Sequence, residues 1–120
     1  MRRAARVSAE GHLRAMRECR PGMNEADMHA ALVHTFMKQH CDTAYPPIVG
    51  GGANACVLHY ITNDEELRDG DLLLIDAGAE LDGYASDITR TFPVNGKFSP
   101  EQKALYEVVL RAQLEAIEEV

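Results

Sequence analysis

The sequence lacks the signatures of several large protein classes. No apolar run approaches the roughly 20 residues needed to cross a bilayer. The start, MRRAARVSAEGHLRAMRECRPG, is charged throughout and has no apolar core of a secretory signal. No glycine run is followed by Gly-Lys-Ser/Thr, so a phosphate-binding loop is excluded. These absences predict a cytoplasmic protein without a membrane partner.

Basic residues and cysteines are also few. Lysine and arginine number 12 against 19 acidic residues, a formal charge of -7, which disfavours a nucleic-acid partner. The acidic balance suits a carboxylate-rich cation site, although such a surface can also simply keep a protein in solution. Cys19, Cys41 and Cys56 form no CxxC pair, which predicts reduced thiols. Cys56, in ACVLHY, is predicted to be a small buried apolar group.

The helical signals lie at the two ends of the chain. Its 120 residues, 46% hydrophobic, allow one domain at most, with a modest core. A helix is predicted from Arg2 to Cys19, and a second begins at Asn24 as its cap. The last helix begins after Ser99, where Gln102 completes a capping box. It carries an apolar stripe and reaches Val120 without a stop signal, which predicts that the chain is the first part of a longer protein.

Between the helices the sequence predicts strands and turns. Gly50-Gly51-Gly52 is predicted to be a flexible turn and Cys56–Ile61 a short strand. Leu72–Ile75 is an almost wholly apolar strand, and Asp82-Gly83 is a turn that leads into a strand over Tyr84–Phe92. The expected class is α+β, with an antiparallel sheet flanked by helices.

Two aspartates stand out in the stretch LLLIDAGAELDGYASDITRTFPVNG. Asp76 ends the apolar strand, and Asp87 lies eleven residues further on. A turn at Leu81-Asp82 would pair the two aspartates directly. A turn at Asp82-Gly83 would set Asp76 opposite Thr89 and make the two aspartates diagonal neighbours. Both registers place the two carboxylates on one face of the hairpin.

Two neighbouring carboxylates repel each other, and both stay ionised near neutral pH only with a cation between them. Divalent ions that prefer oxygen ligands, manganese or magnesium, suit such a pair. If one carboxylate bridges two ions, a shared water becomes acidic enough to attack a carbonyl group. The alternative is that each aspartate is a turn residue bonded to its own backbone.

His59, in CVLHY, is the next candidate. An imidazole near the ions could donate a hydrogen bond to a reacting group or assist proton transfer. The alternative is a histidine with a purely structural role. On the second predicted helix, His29, His34 and His40 lie at spacings of five and six residues, which do not place them on one helix face.

The order of three segments resembles that of the Xaa-Pro aminopeptidases; the segments are YPPIVGGGANACVLHY, RDGDLLLIDAG and GYASDITRTFPVNGKFSPEQ. These enzymes form one branch of the pita-bread group, which also contains prolidase, creatinase and methionine aminopeptidase. The resemblance implies that residues 1–120 are the N-terminal portion of the catalytic pita-bread domain, without its second half or a separate N-terminal domain. It implies metal ligation by Asp76, as chelator, and Asp87, as bridge between two ions. It implies a catalytic, substrate-contacting role for His59.

The implied cofactors are two divalent ions, manganese most often, and the implied substrate is a peptide with proline at its second position. The other ligands of the family, one histidine and two glutamates, would come from later strands, so we expect this chain alone to bind metal weakly and to be inactive. Prolidase and a non-catalytic pita-bread binding module are the alternatives. Creatinase-like chemistry, which needs no metal, would not need the paired aspartates. A homo-oligomer is left open.

Overall fold

Two of the three α-helices begin at side chains that cap free backbone groups. The computed structural model describes residues 1–120, and its α-helices are α1 (Arg2–Glu18), α2 (Glu25–Lys38) and α3 (Pro100–Glu118). Asn24 accepts a hydrogen bond in the first turn of α2, and Asp27 accepts one from the Asn24 N–H. Ser99 and Gln102 form the corresponding reciprocal pair at α3. The predicted starts of both helices are confirmed.

Six short strands form two antiparallel sheets. They are β1 (Asp42–Thr43), β2 (Ile48–Gly51), β3 (Leu72–Asp76), β4 (Ala79–Leu81), β5 (Tyr84–Ala85) and β6 (Thr89–Pro93). One sheet has the order β1-β4-β5 and the other β2-β3-β6. The predicted α+β class is confirmed. The predicted single strand over Tyr84–Phe92 is divided into β5 and β6, because the hairpin bends between them.

The hairpin adopts the second of the two predicted registers. Leu81 pairs with Tyr84, which places Asp82 and Gly83 in the turn. Asp76 pairs with Thr89 across β3 and β6. Both turn residues have positive φ, 54° at Asp82 and 80° at Gly83. Aspartate and glycine accept that backbone, and such turns match the twist of a hairpin. The turn residues therefore fix which side chains oppose each other further along the ladder.

Three predictions for residues 50–61 are wrong. Gly50 and Gly51 lie inside β2 rather than in a flexible turn, and a Cβ on Gly50 would lie 2.9 Å from the Asn54 backbone, so glycine permits a close approach there. A 3-10 helix covers Gly52–Cys56, and residues 57–61 are irregular where a strand was expected over Cys56–Ile61. Cys56 is exposed, not buried. The apolar side chains of Val57, Leu58 and Ile61 are exposed, so their hydrophobicity does not indicate a buried strand here.

The core lies where α1 and α2 meet the strands. α2 buries Met28, Ala31, Leu32 and Phe36, which recur at the 3.6-residue period of a helix and form one apolar face. Leu73 and Ile75 of β3, together with other buried apolar side chains, complete the cluster. α3 buries none of its residues in this chain. No helix has both the length and the apolar character that a membrane crossing requires.

Candidate metal and catalytic site

The bend of the hairpin brings the two aspartates together. Asp76 is the last residue of β3, and Asp87 lies in the interval between β5 and β6. The ladder continues across this interval, because the Ala77 N–H donates to the Ile88 carbonyl at 3.1 Å and the Ser86 N–H to the Ala79 carbonyl at 3.0 Å. Asp87 is therefore opposite Gly78, one step diagonal from Asp76.

Gly78 is required by the close approach of the two strands at the bend. A Cβ at this position would lie 1.7 Å from the carbonyl oxygen of Ser86. No side chain can be accommodated there without moving the Ser86–Asp87 backbone. The geometry of the bend, and with it the position of Asp87, depends on the absence of a side chain.

Two polar side chains of α1 hold the inner side of the same bend. Ser8 and His12 lie one helical turn apart and are both buried. The His12 Nε2 atom donates to the Ala77 carbonyl at 3.0 Å. The Ser8 Oγ atom accepts from the Ala79 N–H at 2.7 Å and lies 2.6 Å from the Ser86 hydroxyl. Burial lowers the pKa of His12, although its hydrogen bond to Ala77 opposes that effect.

Tyr45 connects the two aspartates directly. Its hydroxyl lies 2.5 Å from Oδ1 of Asp76 and 2.9 Å from Oδ1 of Asp87. A phenol has a single proton to donate, so two carboxylate oxygens share one donor and converge on one point. Burial raises the pKa of Tyr45 well above its usual range, and the two neighbouring carboxylates raise it further. The phenol therefore remains a neutral hydrogen-bond donor.

His59 shares an open cleft with the aspartates. The cleft has a volume of about 410 Å³, and its lining residues are Tyr45, Pro46, Ile48, His59, Ile61, Asp76 and Asp87. His59 follows the 3-10 helix in an irregular segment, is exposed, and has a φ of 56°. The three residues singled out in the sequence thus lie around one space. The imidazole is presented by a loop, not by the strand that we expected.

The residues present fit a divalent cation. Both converging groups are carboxylates, which hard divalent ions prefer over nitrogen or sulfur ligands. The Oδ1 atoms of Asp76 and Asp87 already approach a common polar hydrogen. No three histidine, cysteine, aspartate or glutamate side chains of the chain are placed so that they could hold one metal ion together. Two carboxylates leave most of the coordination sphere of an ion to other groups.

Sequence reasoning missed three residues that shape this site, namely Ser8, His12 and Tyr45. Tyr45 precedes two prolines, and this pattern indicates extended backbone but no polar role for the side chain. Ser8 and His12 were part of a helix whose register against the hairpin the sequence does not specify. The one available signal was their i, i+4 spacing, which places two polar groups on one helix face.

Comparison with known proteins identifies the family. The sequence profile of metallopeptidase family M24 matches residues 1–120. A Xaa-Pro aminopeptidase from Haemophilus influenzae is 52% identical over 120 residues, covering 98% of this chain and 28% of that protein. The structure of proline aminopeptidase P II from Yersinia pestis superposes with a TM-score of 0.94 at 56% identity, covering 96% of this chain and 27% of that one. Zinc-substituted Escherichia coli aminopeptidase P in complex with product gives a TM-score of 0.90 at 52% identity, covering 92% of this chain and 25% of that one.

The chain belongs to metallopeptidase family M24. Its helices and antiparallel sheets are part of the pita-bread fold that this family shares, as the resemblance predicted. The family is one of metal-dependent peptidases, which is consistent with the convergent carboxylates. The chain spans about a quarter of the length of the relatives it matches.

Proposed function

We propose that the full-length protein is an aminopeptidase that hydrolyses the peptide bond between an N-terminal residue and proline. The convergence of the Asp76 and Asp87 carboxylates on one point of an open cleft is the observation that carries this proposal. Its support is the family membership and the 52% identity with a relative named Xaa-Pro aminopeptidase. The proposed partner is a peptide with proline at its second position.

The residues of this chain have distinct proposed roles. Asp76 would hold one divalent ion through its carboxylate, and Asp87 would be a ligand shared by that ion and a second one. When bound, two such ions would supply a water acidic enough to attack the peptide carbonyl at neutral pH. His59 lines the same cleft from the irregular segment that follows the 3-10 helix. From there its imidazole can donate a hydrogen bond to the reacting group of the substrate.

Manganese is the proposed ion, and the cytoplasm the proposed location. The carboxylate donors suit manganese or magnesium better than a metal that prefers thiolates. A structure named as zinc-substituted E. coli aminopeptidase P supports divalent-ion binding in a close relative. The remaining ligands would come from residues beyond the 120 of this chain, and a homo-oligomer is compatible with the proposal.

A substrate series tests the proposed reaction in the full-length protein loaded with manganese. We expect a tripeptide Xaa-Pro-Xaa to lose its first residue, while the matched Xaa-Ala-Xaa peptide stays largely intact. Cleavage confined to the dipeptide Xaa-Pro would instead identify a prolidase. Binding of the peptides without cleavage would identify a recognition module, and the proposed hydrolysis would then be wrong.

The isolated chain is expected to bind manganese weakly. Two carboxylates leave each ion largely hydrated, and an incomplete ligand set has little preorganisation. Calorimetric titration of residues 1–120 measures this directly. Tight binding of two ions by the monomeric chain would show that the ligand set has been assigned incorrectly.

A further inference from the structure

Glu25 is a buried carboxylate that the proposed mechanism does not use. It is the first residue of α2 and has no solvent-exposed surface. Neither ion pair of the chain involves it. A buried carboxylate without a cation is unfavourable unless hydrogen bonds replace its hydration. Such a group therefore identifies a place where the surrounding donors are arranged around it.

Four donors surround the Glu25 carboxylate. They are the Gly51 N–H at 2.8 Å, the Asn54 side-chain amide at 3.0 Å, the Tyr60 hydroxyl at 2.8 Å and the Glu65 N–H at 3.1 Å. Burial acts to raise the pKa of Glu25, but the four hydrogen bonds outweigh it and lower the pKa. The position at a helix N-terminus also favours the negative charge.

All four donors belong to one segment, residues 51–65, which also contains His59. Little apolar burial holds this segment in place, since Val57, Leu58 and Ile61 are 54%, 86% and 60% exposed. Polar contacts hold it instead. Glu25 binds its start, its middle and its end, and Asn63 adds two hydrogen bonds, to the backbone of β2 and of Pro47 just before it.

The backbone at His59 needs such support. A φ of 56° lies in the left-handed region, which residues other than glycine adopt only when their surroundings impose it. The next residue is Tyr60, whose hydroxyl donates to Glu25 at 2.8 Å. The hydrogen bond that Glu25 accepts from Tyr60 therefore restrains the residue next to the strained backbone of His59, which lines the cleft.

We propose that Glu25 is a positioning residue that fixes segment 51–65 so that His59 faces the Asp76–Asp87 cleft. The inference rests on the proposed function only for what His59 does there. Glu25 does not line the cleft, so it acts through the segment and not on the substrate.

Two variants of the full-length protein test this role. Glu25→Gln keeps the size of the side chain but turns an amide N–H2 toward groups that are themselves donors. Tyr60→Phe removes one hydroxyl and is the milder change, which remains informative if Glu25→Gln does not fold. Val7→Ala, a buried apolar truncation in α1, is the control for a general loss of stability.

We expect faster amide hydrogen exchange in residues 51–65 of both variants, with manganese content unchanged. Turnover of a Xaa-Pro peptide should fall, by about 10- to 100-fold for Glu25→Gln, because a displacement of about 1 Å can cost about 100-fold in rate. The Val7→Ala control should raise exchange across the domain without a selective effect on residues 51–65. A merely structural role of Glu25 would likewise alter exchange throughout the domain.

A double-mutant cycle tests whether the effect passes through His59. Residues that act through a shared group are not additive, so Tyr60→Phe should change turnover by less than about twofold once His59→Ala is present. An equal factor in both backgrounds would overturn the proposal, as would unchanged exchange in residues 51–65. If the parent protein hydrolyses no Xaa-Pro peptide, the proposed function fails, and the exchange rates alone then decide whether Glu25 holds the segment.

Discussion

At the scale of single residues, Tyr45 has the most direct effect on the geometry of the two aspartates. Its hydroxyl is within 2.9 Å of both carboxylates, and no other group of the chain forms a hydrogen bond with both. A shared donor reduces the repulsion between two like charges before any ion arrives. It also orients each carboxylate, as supporting hydrogen bonds do around metal ligands in general.

Tyr45→Phe should therefore weaken divalent-ion binding by the full-length protein. Loss of a supporting hydrogen bond to a ligand typically costs about 10- to 100-fold in metal affinity. Calorimetric titration with manganese measures the change. Tyr84→Phe removes the hydroxyl of an exposed tyrosine and is the matched control. Affinity equal to that of the parent, or higher, would show that the phenol competes with the ion instead of supporting its ligands.

His12 should make the stability of the bend depend on pH. Its pKa in the folded chain lies below the ordinary value of 6.5, so as the pH falls below about 6.5 the unfolded chain binds a proton that the folded one does not. The free energy of unfolding should decrease from pH 7 toward pH 5, by up to about 1.4 kcal/mol per pH unit.

His12→Gln should flatten this slope, because glutamine can still donate to the Ala77 carbonyl but does not titrate. Hydrogen exchange in α1 and the hairpin at increasing urea concentration measures the local stability at each pH. Some slope should remain, since burial also lowers the pKa of His29. A slope as steep as that of the parent would show that His12 is not the titrating group.

At the scale of elements, the hairpin from β3 to β6 is the part of the fold that the sequence predicted best. An Asp-Gly turn requires positive φ, and this requirement selects one register out of two. Once the register is known, the positions of Asp76 and Asp87 follow by counting. The starts of α2 and α3 were also predicted correctly, because the residues that form a capping box are only three positions apart in the sequence.

Non-local contacts were the part that the sequence could not predict. The segment that carries His59 contains apolar residues, but hydrogen bonds to Glu25 and to β2 hold it in place. Glu25 and β2 lie outside the segment in sequence, so no local pattern predicts these contacts. Its secondary structure was therefore predicted wrongly, although the inclusion of His59 in the cleft does not depend on it. The support of the bend by Ser8 and His12 likewise depends on how α1 packs, not on any local pattern.

The bend of the hairpin gives a prediction at this scale. Gly78→Ala would place a Cβ 1.7 Å from the Ser86 carbonyl, so the backbone next to Asp87 must move, at a cost of about 3 kcal/mol or more. Both the Tm and the manganese content of the full-length protein should fall.

Gly83→Ala in the turn of the same hairpin is the control for this change. A Cβ there meets nothing within 4 Å, but the φ of 80° is unfavourable for alanine, which costs about 1–2 kcal/mol. Its Tm should fall less and its manganese content should remain near that of the parent. Equal losses in the two variants would mean that the bend does not determine the position of Asp87.

At the scale of the whole molecule, the β3–β6 hairpin and the segment around His59 border an open cleft, whereas α3 has no buried residue. The cleft holds two carboxylates on the hairpin and an imidazole on a loop. The hairpin and the loop are held by different contacts: Ser8 and His12 of α1 hold the hairpin, and Glu25, the first residue of α2, holds the loop. A substitution that moves the hairpin should therefore alter ion binding, and one that moves the loop should alter turnover.

The most direct test of this division of roles compares Asp87→Asn with His59→Ala in the full-length protein, using elemental analysis of the bound metal beside Xaa-Pro peptide hydrolysis. A neutral amide bridges two cations poorly, so Asp87→Asn should lose metal and nearly all activity. His59→Ala should keep its metal near the parent content and lose turnover by about 100-fold or more, as removal of a proton-transfer or hydrogen-bonding group typically does. Parent-like hydrolysis by both variants, or loss of metal from His59→Ala, would contradict the account.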